Sequence, residues 1–405
     1  MQAILQGLRI VEGSAFIAAP SCGMTLAQLG ADVIRFDQIG GGIDYRRWPV
    51  TNTNQSIYWA EMNKGKRSIA VDLKNPRARE LVAALISADG DDGGIFSTNL
   101  PARGWLDYEA LKKNRSDLIQ LEIVGDRHGG IALDYTVNAQ VGFPSITGPA
   151  DDNRPVNHVL PAWDLCAGLL AAISILSAER HRRLKNEGQQ IKLPLADVAL
   201  AAMGHLGYIG ELMINDEERA RHGNYLYGAF GRDFETSDNE RLMVIALSHK
   251  QWRGLLDATK LEGQMNELAA TVGADLDAEA ERFVHKEAIA DIFDTWISKQ
   301  TFKSVQSCFD DNGVCWGRYQ TARELVESDP DCSVDNPLFD MIKQPDIGEY
   351  LVPSQPMNFG AIEKMPPQPA PRVGEHSEAI LADVVGLSTA EIGKLHDEGV
   401  IYCAS

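Results

Sequence analysis

The chain has 405 residues, of which 44% are hydrophobic and 23% charged, and this composition is typical of a globular protein with a full-sized core. Its formal net charge of −19 disfavours nucleic acid or an anionic membrane surface as the main partner, because both bind basic faces. We therefore expect no nucleic-acid partner and no membrane partner. The length predicts about two to three domains.

The cysteine pattern and the N-terminus indicate the compartment. The six cysteines are scattered, without a C-x-x-C pair or a nearby histidine cluster, which disfavours a metal site and favours reduced thiols. The first residues lack the regions of a signal peptide, and no uninterrupted apolar run approaches the roughly 20 residues of a spanning helix. We expect a cytoplasmic protein without a bound metal.

The first forty residues predict a strand, a helix and a second strand, at Leu8–Val11, Pro20–Leu29 and Asp32–Phe36. An acid at the end of the second strand, here Asp37, is part of the dinucleotide fingerprint, so an NAD-dependent oxidoreductase is one alternative. The connection Glu12–Ala18 lacks the glycines that let a backbone approach a pyrophosphate. This lack disfavours the nicotinamide hypothesis.

A basic segment follows this unit. Between Arg35 and Arg79 there are nine Lys or Arg residues against four acids, in a chain that is acidic overall. Lys74 follows the predicted strand Ile69–Asp72, and two further polar residues, Asn99 and Arg103, follow the next strand. Open α/β sheets bind ligands at the carboxyl ends of their strands, where cations meet phosphates. Arg35, Lys74, Asn99 and Arg103 are therefore the candidate contacts for a nucleotide-like ligand.

A lone carboxylate precedes the apolar segment Leu165–Leu176. Asn157–Asp164 runs directly into this segment, which places Asp164 at the start of a buried helix. An aspartate at a helix N-terminus tends to stay ionised even in apolar surroundings, and Asp164 is the candidate nucleophile. Taken alone, the position is more often that of an N-cap, which is the competing interpretation.

Six segments in a fixed order carry a resemblance that extends over nearly the whole chain. They are Leu5–Val11, Leu29–Arg35, Asn63–Lys74, Gly188–Ile191, Asp329–Pro330 and Pro369–His376. Their order resembles the class III (CaiB/BaiF-type) CoA-transferases. In that family the catalytic aspartate precedes an apolar helix, and Asp164 stands at the matching position. Tyr135 stands at the position of an active-site tyrosine.

Three further segments narrow the resemblance. Tyr225–Thr236, Pro161–Asp164 and Asp329–Ser333 look like the branch of the family that moves CoA between the two carboxyl groups of one dicarboxylate, mesaconate. The glycine-rich loop of the oxalate-type transferases is missing at Arg221–Asn224. An intermolecular transferase that uses another dicarboxylate, and a non-enzymatic protein that only binds acyl-CoA, remain alternatives.

The resemblance implies covalent chemistry at Asp164, with CoA as part of the substrate and no permanently bound cofactor. Arg46 and Arg47 are candidates for the free carboxylate of the substrate, because a guanidinium binds carboxylates in a bidentate manner. His128 is predicted to be a loop histidine, because the position that matches the histidine of the related racemases is closer to Leu133. This absence favours acyl transfer over racemisation.

The resemblance also implies the architecture. We expect a large doubly wound, Rossmann-like α/β domain from residues 1–210 and 330–405, a smaller inserted α/β domain from residues 211–329, and an interlocked homodimer. The remaining predicted elements are a helix at Leu195–Gly210, a strand at Leu242–Ala246, a helix at Trp252–Leu261, a helical run at Asp275–Lys299 and an extended return linker at Pro353–Pro371.

Overall fold

The computed structural model describes residues 3–404, in two compact units. The larger unit comprises the chain up to Val141, Val159–Ile209 and the chain from Pro330, and the smaller unit comprises Gly142–His158 and Gly210–Asp329. These units divide the chain near the predicted boundaries at 210 and 330, and differ from them by placing Gly142–His158 in the smaller unit. Residues 1, 2 and 405 of the predicted large domain lie outside the described residues.

The chain alternates strands and helices through its first half. The strands, in chain order, are β1 (Arg9–Gly13), β2 (Asp32–Gln38), β3 (Arg67–Val71), β4 (Ile95–Thr98), β5 (Ile119–Val124), β6 (Gln189–Pro194), β7 (Phe230–Glu235), β8 (Arg241–Ala246), β9 (Cys315–Arg318), β10 (Phe339–Gln344), β11 (Gly348–Pro353) and β12 (Ile401–Tyr402). The helices are α1 (Ala18–Gln28), α2 (Ile57–Met62), α3 (Pro76–Ser87), α4 (Tyr108–Lys112), α5 (Asp134–Gln140), α6 (Phe143–Ile146), α7 (Ala162–Lys185), α8 (Leu195–His205), α9 (Tyr208–Asn215), α10 (His249–Thr259), α11 (Glu262–Val272), α12 (Glu279–Val284), α13 (Lys286–Ile297), α14 (Phe302–Asp311), α15 (Ala322–Ser328), α16 (Ser377–Asp383) and α17 (Thr389–Asp397).

The larger unit is built on a seven-stranded sheet with the order β12-β3-β2-β1-β4-β5-β6. Its pairs are parallel except for β12, which pairs antiparallel with β3 and brings the end of the chain into the same sheet as its beginning. The order reverses between β1 and β4, and ligands of open parallel sheets bind at such a switch point.

Helices cover both faces of this sheet. Ile34 and Phe36 of β2 belong to a core cluster with Val82 of α3 and Ile380 of α16. The intervening residue Arg35 points to the other face because side chains alternate along a strand, and α1 packs there against β2 and α7. Strands buried on both faces are nearly continuous apolar runs, and this is why the short strands could be predicted.

Most predicted elements of the larger unit are confirmed, with differences at their ends. The predicted helix Leu195–Gly210 is wrong as one element: α8 and α9 are separate helices, and Gly207 between them has a φ of +82°. A positive φ ends a helix, and glycine adopts it without steric cost. Pro353 ends β11, and the rest of the predicted linker up to Pro371 contains no helix and only an isolated bridge, as expected of an extended segment.

The smaller unit has its own sheet and core. Strands β7, β8 and β9 form an antiparallel sheet, and α10, α13 and α14 supply apolar side chains to one cluster with it. Phe230, Trp252 and Phe293 meet there at ring-centroid distances of 5.5 to 6.0 Å. The predicted helical run Asp275–Lys299 is divided into α12 and α13, which meet at His285.

Helix α7 has 24 residues and is long and apolar enough to cross a membrane by length and composition alone. The sequence-based expectation counted uninterrupted apolar runs, and Asp164 and Glu179 interrupt this one. Ala167, Ala171 and Ile175 on α7 are buried, and the helix packs against α1 and β5. A core helix passes the same test, so α7 is weak evidence for a span.

Candidate active site

The loop after β1 and the loop after β4 meet at the switch point of the sheet. The Asn99 side chain accepts a hydrogen bond from the Ala15 N–H (2.9 Å) and donates one to the Ala15 carbonyl (2.7 Å). Asn99 therefore uses both groups of its amide to hold the loop after β1. Its predicted contact with CoA stays a prediction, and the structure adds this positioning role.

The same loop contains a strained residue. Phe16 has a φ of +67°, a conformation that costs a non-glycine residue about 1–3 kcal/mol and occurs preferentially at functional sites. Its N–H donates to Asp44 Oδ2 at 2.9 Å, and Asp44 is buried. The strain is thus held in place by a buried carboxylate.

Arg35 lies in the interior, with 1% of its surface exposed. It donates to Asp37 (2.8 Å) and Asp44 (3.1 Å), and also to Ser14 (3.2 Å) and Asn63 (3.1 Å). A buried arginine with these partners organises the loops around it. The contact of Arg35 with CoA stays a prediction, and the burial of Arg35 among these partners disfavours it.

The nucleophile candidate lies inside the first turn of α7. Pro161 precedes the helix and makes no side-chain cap, and Asp164 is the third helical residue. The cap comes from another helix: Asp134 Oδ2 on α5 accepts from the N–H groups of Trp163 (2.7 Å) and Asp164 (3.0 Å). The competing interpretation of Asp164 as an N-cap is therefore wrong, and its carboxylate accepts no hydrogen bond among residues 3–404 of the structure.

Close packing fixes this turn. A Cβ on Gly168, one turn further along α7, would lie 2.0 Å from Ser21 Oγ and 2.8 Å from the Ala18 carbonyl oxygen of α1. Only glycine allows the two helices this approach. In addition, Trp163 Nε1 donates to Asn138 Oδ1 on α5 at 3.1 Å. Asp164 is thus presented by three helices that pack together.

Burial, and next the nearby charge of Asp134, raise the pKa of the Asp164 carboxyl to about 6, and the charge of Arg47 opposes both effects. The helix N-terminus was expected to keep Asp164 ionised, and a pKa of about 6 leaves the carboxyl mostly ionised at neutral pH, although this pKa lies well above the ordinary value of 3.8. The N–H groups that would stabilise the Asp164 carboxylate already bind Asp134. The effect of desolvation on the pKa of Asp164 is therefore larger than the effect of the helix N-terminus.

The structure distinguishes the two adjacent arginines. The guanidinium of Arg47 lies 5.3 Å from the ring centroid of Phe16 and 5.4 Å from that of Tyr58, and it acts electrostatically on Asp164. Both arginines are exposed, but the charge of Arg46 acts on Tyr45. Arg47 is the arginine that belongs to the neighbourhood of the nucleophile.

Tyr135 follows Asp134 on α5, with 44% of its surface exposed. Its hydroxyl donates to the Val159 carbonyl at 3.0 Å, in the segment that leads into α7. His128 is exposed in the turn after β5, where its N–H donates to Asp126. The structure thus places Tyr135 beside the segment that leads into α7. His128 lies in a surface loop, which is the position predicted for it.

Lys74 and Arg103 are both exposed at the carboxyl edge of the sheet, Lys74 in the turn after β3 and Arg103 after β4. Strands β2 and β1 lie between these two positions. The edge therefore presents two separate cations, one on each side of the switch point.

Four residues of this region were not singled out in the sequence: Phe16, Asp44, Tyr58 and Asp134. Asp134 immediately precedes Tyr135, but only the fold shows that it caps a helix 30 residues away.

Among the described residues, no cluster of three His, Cys, Asp or Glu side chains could hold a metal ion. A groove of about 750 Å³ lined by Arg9 and Asp383 lies at the opposite edge of the sheet and is not part of this site.

Comparisons with known proteins identify the family. The model of CoA-transferase family III matches residues 5–377. The chain is 55% identical over 402 residues to the 2-methylfumaryl-CoA isomerase of Chloroflexus aurantiacus, which covers 99% of this chain and 98% of that protein. It is 26% identical to a succinyl-CoA–D-citramalate CoA-transferase of the same organism, over 98% of both chains.

A solved structure agrees at the level of the fold. The crystal structure of a CAIB/BAIF family protein from Brucella suis matches 95% of this chain and 100% of its own, with a TM-score of 0.76 and 24% identity. The family match and the 55% identical relative confirm the resemblance and decide against the nicotinamide and non-enzymatic alternatives. The chain belongs to CoA-transferase family III and is an enzyme that acts as a CoA transferase or isomerase.

Proposed function

We propose that the protein moves CoA between the two carboxyl groups of mesaconate, which is the reaction of a 2-methylfumaryl-CoA isomerase. The observation that carries this proposal is the partly buried carboxylate of Asp164 at the start of α7, which has no hydrogen-bond donor among the described residues. The isomerase that is 55% identical over nearly the whole chain supports the choice of substrate.

The first half-reaction makes an acyl-enzyme. The Asp164 carboxylate attacks the thioester carbonyl of mesaconyl-CoA, the C–S bond breaks, and a mixed anhydride and CoA thiolate form. The thiolate attacks the Asp164 carbonyl of the anhydride, and the mesaconate carboxylate leaves with the electron pair of the C–O bond. The enzyme then carries an aspartyl-CoA thioester.

The second half-reaction uses the other end of the same acid. The second carboxylate of mesaconate attacks the carbonyl of the aspartyl thioester, the C–S bond breaks, and an anhydride at that end and CoA thiolate form. The thiolate attacks the mesaconate carbonyl, so the new thioester forms and the Asp164 carboxylate returns. Both fragments must stay bound, since an anhydride that meets water hydrolyses.

Charged side chains around Asp164 supply binding. Arg47, held between the rings of Phe16 and Tyr58, binds the free carboxylate of the substrate. Lys74, Asn99 and Arg103 contact the nucleotide part of CoA at the carboxyl edge of the sheet, and that binding energy positions the thiol. Tyr135 orients the reacting groups after its hydroxyl leaves Val159. CoA is part of the substrate, and no cofactor is bound permanently.

The active enzyme is an interlocked cytoplasmic homodimer in this proposal. Support comes from the exposed apolar side chains of α7: Leu169 and Ile173 are 55% and 58% exposed in the single chain. Adjacent exposed apolar residues on one helix commonly mark an interface.

The test follows the two regioisomers. Purified protein is incubated with either mesaconyl-CoA thioester, and chromatography should show each converting into the other. Asp164→Asn is the matched control and should convert neither. If the parent protein interconverts no regioisomers, the proposed function is wrong.

The second candidate is an intermolecular CoA transferase for another dicarboxylate, which the 26% identical succinyl-CoA–D-citramalate transferase favours. Excess isotope-labelled mesaconate separates the two candidates. A caged acceptor competes at an effective concentration of about 10⁵ M or more, so an isomerase leaves its product almost unlabelled. Label that enters the thioester pool during turnover indicates the intermolecular enzyme.

A further inference from the structure

Helix α5 supplies a carboxylate to the first turn of the nucleophile helix. Asp134, the first residue of α5, is 3% exposed, and its Oδ2 accepts the N–H groups of both Trp163 and Asp164. Its Oδ1 has no hydrogen-bond partner in the described part of the chain. Two N–H donors at the positive end of a 24-residue helix are partners for a carboxylate rather than for a carboxylic acid.

Few charged groups besides Asp134 act on Asp164. Among the described residues, the charges that act on Asp164 are Asp134 from α5 and Arg47 from the loop after β2. Tyr58 of α2 also faces Asp164, and burial raises the pKa of its phenol to about 12, so it stays neutral. Helix α1 presents Ser21, which is uncharged, to α7. The charge of Asp164 is therefore influenced by one buried negative neighbour and one cation.

We propose that Asp134 is a positioning residue that holds the first turn of α7 and disfavours the free Asp164 carboxylate relative to its acylated forms. This inference rests on the proposed function. When the thioester forms on Asp164, the negative charge leaves that side chain and moves to the released mesaconate carboxylate on the substrate side. The repulsion from Asp134 is then relieved, which favours the acyl-enzyme in the internal equilibrium.

The test replaces Asp134 with neutral residues. Asp134→Asn has the same shape and keeps an acceptor oxygen for the two N–H groups, whereas Asp134→Ser is shorter and removes both the charge and this contact. Asp107→Asn is the matched control, because Asp107 caps α4 by accepting from the Glu109 N–H. The acyl-enzyme is measured by acid quench at saturating mesaconyl-CoA, followed by intact-protein mass spectrometry.

The expected result has two parts. The ratio of aspartyl-CoA enzyme to free enzyme should fall about tenfold in both Asp134 variants, and the acid limb of kcat/KM should move to lower pH by about one unit. A residue with only a structural role would move neither quantity. Turnover should persist, and Asp107→Asn should match the parent.

The outcomes separate this inference from the proposed function. If the parent itself forms no aspartyl-CoA adduct, the proposed function fails. If the parent forms the adduct, and the Asp134 variants keep the parent's ratio and acid limb, only the role of Asp134 is overturned. If neither variant folds, Asp134 serves the fold alone, and the inference is overturned as well.

Discussion

At Asp164 the requirements of folding and of chemistry conflict. Burial penalises the charged carboxylate, whereas attack on a thioester requires it. The raised pKa means that ionising this group costs free energy of folding as the pH rises from the ordinary value of 3.8 to about 6. A residue kept in such a position is typical of an active site.

Asp164→Asn should therefore abolish turnover without weakening the fold. A neutral amide removes the cost of a buried charge, so at about pH 8 the variant should be as stable as the parent or more stable, by up to about 3 kcal/mol. Chemical denaturation and the regioisomer assay on the same preparation measure both effects. A variant that is less stable but still active would contradict the role of Asp164 as nucleophile.

The pH dependence of the reaction should follow the same group. The ionised form attacks, so kcat/KM should be constant above about pH 7 and fall as the pH drops through about 6, because that is where Asp164 takes up its proton. An unperturbed carboxyl would place this fall near pH 4. Rates measured from about pH 5 to about pH 8, with stability checked at each pH, distinguish the two cases.

At the scale of elements, the loop after β1 is a rigid part of the site. Asn99 holds it from β4, and Asp44 holds it from the segment after β2, with Phe16 strained between them. The ring of Phe16 in turn supports Arg47. Residues from three strand ends thus fix one arginine near Asp164, which explains why the switch point of the sheet is the place for the chemistry.

Cations at the strand ends should bind the CoA part of the substrate. Lys74→Ala and Arg103→Ala should each raise KM for CoA esters several-fold, and the effect should shrink as salt rises, because exposed charges are screened. Lys113→Ala is the control, since Lys113 is exposed but precedes β5 at the opposite edge of the sheet. Equal KM values for all three variants and the parent at low salt would place the CoA site elsewhere.

At the scale of the molecule, a single chain exposes the apolar side chains of Leu169 and Ile173 on α7. The mass of one chain is 44.4 kDa, and sedimentation should show a species of twice this mass. Ile173→Glu should prevent that assembly, because it places a charge in the proposed interface. On a monomer, the same exposed substitution would change stability by only about 0.5 kcal/mol. A parent protein that sediments as a monomer would contradict the homodimer.

The sequence by itself determined the strands of the sheet, the family and the position of the candidate nucleophile. Buried parallel strands are contiguous apolar runs, and the motifs around Asp164 and Tyr135 are contiguous as well. Strands and motifs can therefore both be recognised from short stretches of sequence. The prediction of which basic side chains contact CoA was less successful. Arg35 belongs to a basic segment in the sequence, yet its side chain lies in the interior between Asp37 and Asp44.

Only the tertiary structure decided which groups act on one another. Asp134 caps α7 from 30 residues away, Asn99 holds Ala15 across 84 residues, and the charge of Arg47 rather than that of Arg46 acts on Asp164. The raised pKa of Asp164 was not predicted for the same reason. Local sequence indicates a helix N-terminus, but burial and a second carboxylate depend on how separate segments pack, and in a desolvated site these terms outweigh the helix end.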